Sequence, residues 1–397
     1  MMLSTKKKND VLKDLALLIA DESAEIIAAN QKDLEKAGDL DPTLVDRLKV
    51  DEKKVKGMVA SVNEVIGLED PEGQVLSAYD HPNGMKVENR VVPFGKILII
   101  YESRPDVTIE AAVSAFKSGN KILLKGGKEA RQSNLVLVAL WQKALAQNGV
   151  ATDYVEYLDI DRATTQKLLA ENTHNLDLII PRGGEGLINY IKQTTSVPLM
   201  ISGRGNNFVY VDENTDFEMA IDIILNGKSR LSVCNAIDKV LFNKNIPELA
   251  SKLSNLVTRA EAIGLDIHGD KNVIALDKKI KACNVEDLMP QEFLSEKILF
   301  AEVDSLDEAI ATINKYAGGH SAVIVTTNKD TATKFQYQVD CAAVYHNASS
   351  RFTDGGQFGF GAEIAISTQK LHFRGPVGLA QLVSNKWFIS GDGQTRN

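Results

Sequence analysis

Hydrophobic positions divide the chain into stretches with different rhythms. Residues 1–66 read as helices, because Val11, Leu15, Leu18, Ile19, Ile26 and Ile27 keep a helical period between acids and lysines. Asp41-Pro42 is expected to open a further helix, since proline suits a first helical turn. From Lys96 onward, short apolar runs alternate with longer amphipathic segments. Strands are predicted at 96–101, 120–124, 154–158, 176–180 and 207–211, and helices at 107–118, 131–147, 162–171, 184–193 and 216–226. Strands alternating with helices imply parallel βαβ units and a doubly wound α/β sheet.

The rhythm breaks near 227 and resumes as a second α/β domain. Its predicted strands are 237–242, 272–276, 298–303, 321–326 and 341–346, with helices at 247–262, 305–315 and 329–338. Two segments fit neither domain. One is 75–94, where His81-Pro82-Asn83-Gly84 makes a turn between extended runs. The other is the tail 380–397, with a strand-like run Lys386-Trp387-Phe388-Ile389. Isolated hairpins and tail strands need something to pair with, and another subunit is the expected partner.

Composition narrows the function classes. The chain has 397 residues, 44% apolar and 25% charged, so it is neither disordered, collagenous nor a coiled coil. At about 150 residues per domain, two or three domains are expected. The net charge of −8 argues against a nucleic-acid partner. The one basic run, Lys6-Lys7-Lys8, reads as a solvated helix start. Three cysteines make no paired framework and none has metal-ligand spacing, so no metal and a reducing compartment are expected. There is no leader-like apolar segment, and the run Ile97–Tyr101 is far too short to span a bilayer. The reading is a soluble cytoplasmic protein with no membrane partner.

Three places carry candidate chemistry. Cys234 lies in Lys228-Ser-Arg-Leu-Ser-Val-Cys-Asn-Ala236, just after a helix expected to end at Asn226-Gly227. Two cations, Lys228 and Arg230, are near it, and an electropositive loop favours a thiolate nucleophile. From local sequence alone, a small buried residue with no role is the favoured reading. Cys341 reads as core filler and Cys283 as incidental. Lys125-Gly126-Gly127-Lys128 and Pro181-Arg182-Gly183-Gly184 both end predicted strands, where backbone amides can meet phosphate. A tight turn explains either one by itself; two on adjacent units at the carboxyl ends of strands suit a nucleotide better. No Gly-x-Gly-x-x-Gly fingerprint exists, since Gly203-Arg-Gly205 precedes a strand. The third place is the glycine-rich segment from Asn347 to Glu363, read either as a functional loop or as a long surface loop.

Taken together, these residues resemble the gamma-glutamyl phosphate reductases, a family within the aldehyde dehydrogenase superfamily. The motifs are Val92-Pro-Phe-Gly95, Tyr101-Glu-Ser-Arg-Pro-Asp106, Lys117-Ser-Gly-Asn120, Leu124-Lys-Gly-Gly-Lys-Glu-Ala130 and Asp177-Leu-Ile-Ile-Pro-Arg-Gly-Gly184. Further along come Ser232-Val-Cys-Asn-Ala236, Asn347-Ala-Ser349, Arg351-Phe-Thr-Asp-Gly-Gly-Gln-Phe-Gly359, Gly361-Ala-Glu363, Ser367-Thr-Gln-Lys-Leu-His372 and Arg374-Gly-Pro-Val-Gly378. They run in one order over nearly the whole chain.

The resemblance implies an aldehyde dehydrogenase-like fold of two doubly wound parallel-sheet domains plus a β oligomerisation arm. The expected parts are an NADP-binding domain (1–74 and 95–226), a catalytic domain (227–358), an arm (75–94 and 377–397) and a return segment (359–376). It implies NADPH-dependent reduction of L-glutamate 5-phosphate to the 5-semialdehyde in proline biosynthesis, through a thioester on Cys234, by a homodimer or homotetramer. A separate reductase is expected rather than a piece of a kinase–reductase, since the chain opens on a Met and shows no kinase portion.

The same resemblance puts Lys125 at the adenine ribose, Lys128 at the 2′-phosphate, Arg182, Gly183 and Gly184 near the pyrophosphate, and Glu363 at the nicotinamide ribose. Asp106 stands where many relatives have an oxyanion asparagine; an ionised acid cannot donate there, so it is expected to orient a neighbour. Arg351 is assigned to the substrate carboxylate, with Asn347 and Ser349 beside it. Relatives that make acids carry a water-activating glutamate; the matching stretch Leu199-Met-Ile-Ser-Gly203 has no carboxylate, which suits a reductase. The chain departs from the family pattern at Asn207-Phe208 (usually Cys-His), Ala322 (usually an acid) and Phe373 (usually Ala), which bears on the substrate rather than on the reaction class. The alternatives are a superfamily reductase of another acyl phosphate or thioester, and a non-catalytic oligomeric paralogue.

Overall fold

The computed structural model describes residues 2–38, 40, 42–361 and 363–396. The chain divides into two compact units: residues 1–201, 359–365 and 376–397, and residues 202–358 and 366–375.

The first unit opens with four helices, Thr5–Asp21 (α1), Ser23–Glu35 (α2), Pro42–Leu48 (α3) and Glu52–Gly67 (α4). Ser4 caps α1 by accepting from the Lys7 amide at 3.2 Å, and Asp51 caps α4 from the Lys54 amide at 2.9 Å. The apolar face of α1 (Val11, Leu12, Leu15, Ile19) is fully buried, at about 1.5–3 kcal/mol per large side chain. Asp41, expected to open a second helix, lies outside the described residues, and the helix that begins at Pro42 is the third because the first helical stretch is divided in two. The basic run is not uniformly solvated. Lys8 is fully buried, with its ammonium 3.0 Å from Asp70 and 2.6 Å from Glu72. Two acids sixty residues away in sequence turn an apparent surface lysine into an internal one.

Val75–Asp80 (β1) and Lys86–Pro93 (β2) form the expected hairpin, closed where the Gly84 amide donates to the His81 carbonyl at 2.8 Å. Gly84 has φ +92, which a side chain would disfavour. Four strands follow: Lys96–Tyr101 (β3), Lys121–Gly126 (β4), Val155–Tyr157 (β5) and Leu178–Arg182 (β6). They alternate with helices Pro105–Lys117 (α5), Arg131–Gln147 (α6), Arg162–Glu171 (α7) and Glu185–Thr194 (α8). The parallel sheet has order β5-β4-β3-β6, so the chain reverses direction across the β3/β6 boundary.

The second unit is a seven-stranded sheet. Its strands are Asn207–Val211 (β7), Ile237–Asn243 (β8), Asp266–Gly269 (β9), Lys281–Ala282 (β10), Lys297–Val303 (β11), Ser321–Val325 (β12) and Ala343–His346 (β13), in order β10-β9-β11-β8-β7-β12-β13. All its pairings are parallel, and β7, β8 and β12 are wholly buried. Helix Phe217–Gly227 (α9) joins β7 to β8. Residues 202–226 were expected in the cofactor domain. They belong here, because β7 pairs with β8 and β12 at the centre of this sheet. Residues 366–375 of the expected return segment belong here too. The expected strand at 272–276 is a helix, Lys271–Leu276, because Asp270 accepts from the Asn272 and Val273 amides at 2.9 Å and turns the chain. The strand is the short segment just before it, β9.

Ile366–Ser367 (β14) pairs with Gly375–Pro376 (β15), and the tail forms Val383–Ser390 (β16). β16 lies antiparallel on β2 in a three-stranded sheet β1-β2-β16, with Lys386 opposite Arg90 and Ile389 opposite Val87. The hairpin and the tail, expected to seek another subunit, first satisfy each other. Among the described residues, no helix is long and apolar enough to cross a membrane.

Candidate active site

Cys234 lies on the loop between α9 and β8, at the amino edge of the seven-stranded sheet. Its backbone is fixed by neighbours on the same edge. Asn207, the first residue of β7, donates from Nδ2 to the carbonyls of Cys234 and Ala236, both at 2.7 Å. Its Oδ1 accepts from the amide of Ser321, the first residue of β12, at 3.0 Å. One buried amide therefore ties together the ends of three strands. Gly205 lies so close that a Cβ there would sit 2.6 Å from the Cys234 Cα. A side chain at 205 would displace the Cys234 loop.

The next residue in the loop holds a second contact. Asn235 Nδ2 donates to the carbonyls of Arg351 (3.2 Å) and Thr353 (3.1 Å), and its own carbonyl accepts from Ser350 Oγ at 2.7 Å. In return, Arg351 Nη1 donates to Asn235 Oδ1. Arg351 is half-buried, and burial and then Arg230 push its pKa below the usual value, while Asp354 and Cys234 act against the shift. Cys234 and Arg351 thus act on each other electrostatically.

Behind these residues runs a buried polar chain. His320 Nδ1 meets Ser321 Oγ at 2.8 Å, Ser321 Oγ meets Thr353 Oγ1 at 2.8 Å, and Tyr345 Oη meets Thr353 Oγ1 at 2.7 Å. His320 is fully buried, its Nε2 has no hydrogen-bond partner, and burial pushes its pKa down to about 4. It is neutral at physiological pH. Lys228, a cation near Cys234 in sequence, is committed elsewhere: it is fully buried and bonded to Asp238 at 2.8 Å.

In the first unit, register aligns the other candidates along the carboxyl edge of the four-stranded sheet. Tyr101 at the end of β3 faces Gly126 of β4 on one side and Arg182 of β6 on the other. Lys125 is half-buried, its Nζ 3.1 Å from the Gly126 carbonyl, and burial lowers its pKa. Gly184 caps α8, and its amide reaches Glu102 Oε1 at 3.4 Å. A Cβ at Gly183 would meet Glu102 Oε1 and Leu187 Cδ2 at 2.8 Å, whereas a Cβ at Gly184 would meet nothing within 4 Å. The β3/β6 reversal is where a doubly wound sheet opens to a ligand, and the α8 amides favour an anion there. Asp106, near the start of α5, binds Arg104 at 2.9 Å through Oδ2, while its Oδ1 is buried without a partner. Burial pushes its carboxyl up and Arg104 more than reverses this, leaving it below the usual range; burial, then Asp106, raises Glu110 one turn on.

The chain matches the aldehyde dehydrogenase family over residues 3–289 and 289–362. It is 41% identical to gamma-glutamyl phosphate reductase of Bacillus cereus, covering 99% of this chain and 95% of that protein. The figures for Dictyoglomus thermophilum gamma-glutamyl phosphate reductase are 42%, 100% and 95%. A crystal structure of gamma-glutamyl phosphate reductase from Thermotoga maritima superposes with TM-score 0.94 at 39% identity, covering 100% of this chain and 95% of that one. This chain belongs to the aldehyde dehydrogenase family, among the gamma-glutamyl phosphate reductases.

Within the family framework, the structure gathers Cys234 and Arg351 in one unit and Lys125, Arg182, Gly183 and Gly184 along one edge of the other. Lys128 lies in the short helical turn after β4, and Glu363 in the segment 359–365 of the first unit. Asn347 gives its side chain to local structure, accepting from the Thr326 amide (3.0 Å) and donating to the Thr326 carbonyl (2.9 Å). Ser349 caps the turn that carries Arg351. Among the described residues, no group of acids, cysteines and histidines could hold a metal.

Sequence reasoning gave no role to Asn207 or Glu292. Asn207 is a polar residue opening an otherwise apolar buried strand, which is a usable signal. Glu292 accepts from the Gly205 amide at 3.0 Å and so braces the residue that abuts Cys234, but nothing local in the sequence marks it. The departures Phe208 and Ala322 are opposite each other on β7 and β12, both fully buried in one apolar cluster with Tyr210, Ile324 and Phe335. An acid and a histidine facing each other there would need each other; an alanine and a phenylalanine simply pack.

Proposed function

We propose that this protein reduces L-glutamate 5-phosphate to L-glutamate 5-semialdehyde and releases phosphate, a step of proline biosynthesis, through a thioester on Cys234. The full-length likeness to gamma-glutamyl phosphate reductases supports the substrate. The observation that carries the chemistry is a cysteine on a polar-anchored loop beside Arg351. The Cys234 thiolate attacks the acyl carbon; the carbon–sulfur bond forms and the carbon–oxygen bond to phosphate breaks, with the electron pair leaving on phosphate. The Cys234 backbone amide is the proposed oxyanion donor. NADPH, when bound, supplies the hydride that reduces the thioester carbon, and the resulting hemithioacetal collapses to the aldehyde and returns the thiolate. The stretch 199–203 has no carboxylate where acid-making relatives carry the water-activating glutamate, which suits a thioester that must be reduced rather than hydrolysed.

Lys125, Lys128, Arg182, Gly183, Gly184 and Glu363 are the proposed nucleotide contacts. The edge they form suits a diphosphate, because it offers cations, helix N-terminal amides and glycines where backbone must come close. Asp106 orients Arg104, and Arg351 meets an anionic group of the substrate, on a loop shaped by Asn347 and Ser349. The sheet β1-β2-β16 exposes Val75, Leu76, Tyr79, Trp387, Phe388 and Ile389, which supports a homo-oligomer assembled through this arm.

Phosphate-dependent NADP⁺ reduction with glutamate semialdehyde, run on wild type and Cys234→Ala, tests the reading. The expected result is loss of the rate in the variant by ~10³-fold or more at unchanged Tm. Equal rates in the two proteins reject the cysteine mechanism. NADPH oxidation with other acyl phosphates and thioesters sets the substrate.

A further inference from the structure

Arg351 and Arg230 bring two cations to the loop that carries Cys234. Arg351 is anchored through its guanidinium to a neutral amide oxygen, Asn235 Oδ1, rather than to a carboxylate. That anchor is the side chain of the residue next to Cys234, so the guanidinium is tied to the loop that carries the sulfur. The Arg351 carbonyl is held by the same Asn235 amide at 3.2 Å, which fixes the arginine at both ends. Arg230 lies on the Cys234 loop itself and is exposed. The two guanidiniums repel, since Arg230 works to discharge Arg351, and Asp354 only partly compensates. An anion shared between two guanidiniums relieves such repulsion.

A glutamyl phosphate carries two anionic groups that could use this charge. Its phosphate is joined through a single oxygen to the carbon that the sulfur attacks. Its α-carboxylate is at the far end of a four-bond carbon chain. Cations tied to the nucleophile loop match the near group. We propose that Arg230 and Arg351 form the subsite for the leaving phosphate, and that in the reverse direction they bind the inorganic phosphate that cleaves the thioester. This rests on the acyl-phosphate reading above, and it places Arg351 at the phosphate end of the substrate rather than at the carboxylate. Charge-assisted contacts to phosphate oxygens that strengthen as the carbon–oxygen bond breaks lower the barrier to acylation as well as bind.

The test reads phosphate binding without turnover. Iodoacetamide alkylation of Cys234, followed by peptide mass spectrometry, is timed with inorganic phosphate against chloride at equal ionic strength. In the wild type phosphate slows the reaction by the factor 1 + [L]/Kd, about tenfold at ten times Kd. Arg230→Gln, a change at an exposed position, and Arg351→Lys, which keeps the charge but loses the fork, should each lose most of that protection. In the phosphate-dependent oxidation of the semialdehyde, the KM for phosphate should rise about tenfold in Arg230→Gln, with the KM for the aldehyde unchanged. A wild type whose alkylation ignores phosphate overturns the subsite. So does a rise in the aldehyde KM alone, which would return these arginines to the carboxylate. A protein inert toward the glutamyl substrate but protected by phosphate sinks the glutamyl reading and upholds the subsite.

Discussion

The two sheets offer opposite edges to chemistry. In the first unit the candidates sit at the carboxyl edge, after β4 and β6, where backbone amides and glycines gather. In the second unit Cys234, Asn207 and Ser321 sit at the amino edge, before β8 and at the starts of β7 and β12. Under the proposed function, the difference follows from what each edge must do. Binding an anion needs amides pointing outward from a helix start, and the carboxyl edge of a parallel sheet supplies them without side chains. Positioning a single sulfur needs a loop that cannot move. At the amino edge the strand ends have unpaired backbone groups, and Asn207 and Asn235 use these groups to clamp the loop.

That contrast is sharpest at Asn207, where the largest effect on folding and chemistry together is expected. Asn207→Leu removes three hydrogen bonds to buried backbone groups, each costing about 1–3 kcal/mol when left unmade. Urea unfolding should show a loss of ~4 kcal/mol, and kcat should fall by ~10²-fold with little change in the KM for nucleotide. A variant that loses nucleotide affinity instead would break the separation of roles.

An ion pair under the same loop comes next. Asp238→Asn strands the ammonium of Lys228, which is fully buried, and one-sided removal of a buried pair costs about 3–5 kcal/mol. Lys239 is also fully buried beside Asp238, and burial lowers its pKa to about 7, so it can shed its charge where Lys228 is held to its partner. The double change Lys228→Met with Asp238→Leu should recover most of the loss by thermal unfolding.

How much of this was legible in the sequence differs between the two edges for the same reason. The glycine–cation clusters at 125–128 and 181–184 announce themselves, because close backbone approach requires particular residue types in a row. Cys234 is visible as a residue, but its setting is not. Asn207, Ser321 and the neighbours Arg351 and Thr353 converge from three separate segments, and no spacing rule links them. Long-range pairing hides structure elsewhere too. Lys8 reads as solvated until Asp70 and Glu72 close over it, and the tail looks partnerless until β2 takes it. Short elements fail for a different cause: 271–276 is an apolar run too brief to show its period, and one capping aspartate decides it.

His320 lets pH report on the amino edge. Its folded pKa, about 4, lies below the ordinary value of 6.5. The unfolded chain therefore binds the extra proton first, and the folded state loses stability as pH falls from 6.5 toward 4. Above 6.5 this group contributes no pH dependence. The full loss corresponds to about 3 kcal/mol. Urea midpoints of wild type and His320→Asn, compared between pH 7 and 4.5, should show a shallower acid decline in the variant. An unchanged slope would mean that His320 is not held neutral.

The smallest effect belongs to the other edge, and it separates binding from folding. At Gly184 the backbone is extended with φ −64, and a Cβ would point into open space, so the chain itself has room for alanine. A helix N-cap prefers glycine to alanine, so Gly184→Ala should cost about 1 kcal/mol in thermal unfolding. If the open space beside Gly184 is where a diphosphate approaches the α8 amides, a methyl group there blocks it. The KM for NADPH should then rise by about tenfold with kcat nearly intact, the opposite signature to Asn207→Leu. Gly183→Ala is the control with the reverse logic: its Cβ strikes Glu102 and Leu187 at 2.8 Å, so its cost should appear in stability first. If Gly184→Ala binds nucleotide as well as the wild type, the open face at 184 holds no ligand, and the carboxyl-edge assignment must move along β6 toward Arg182.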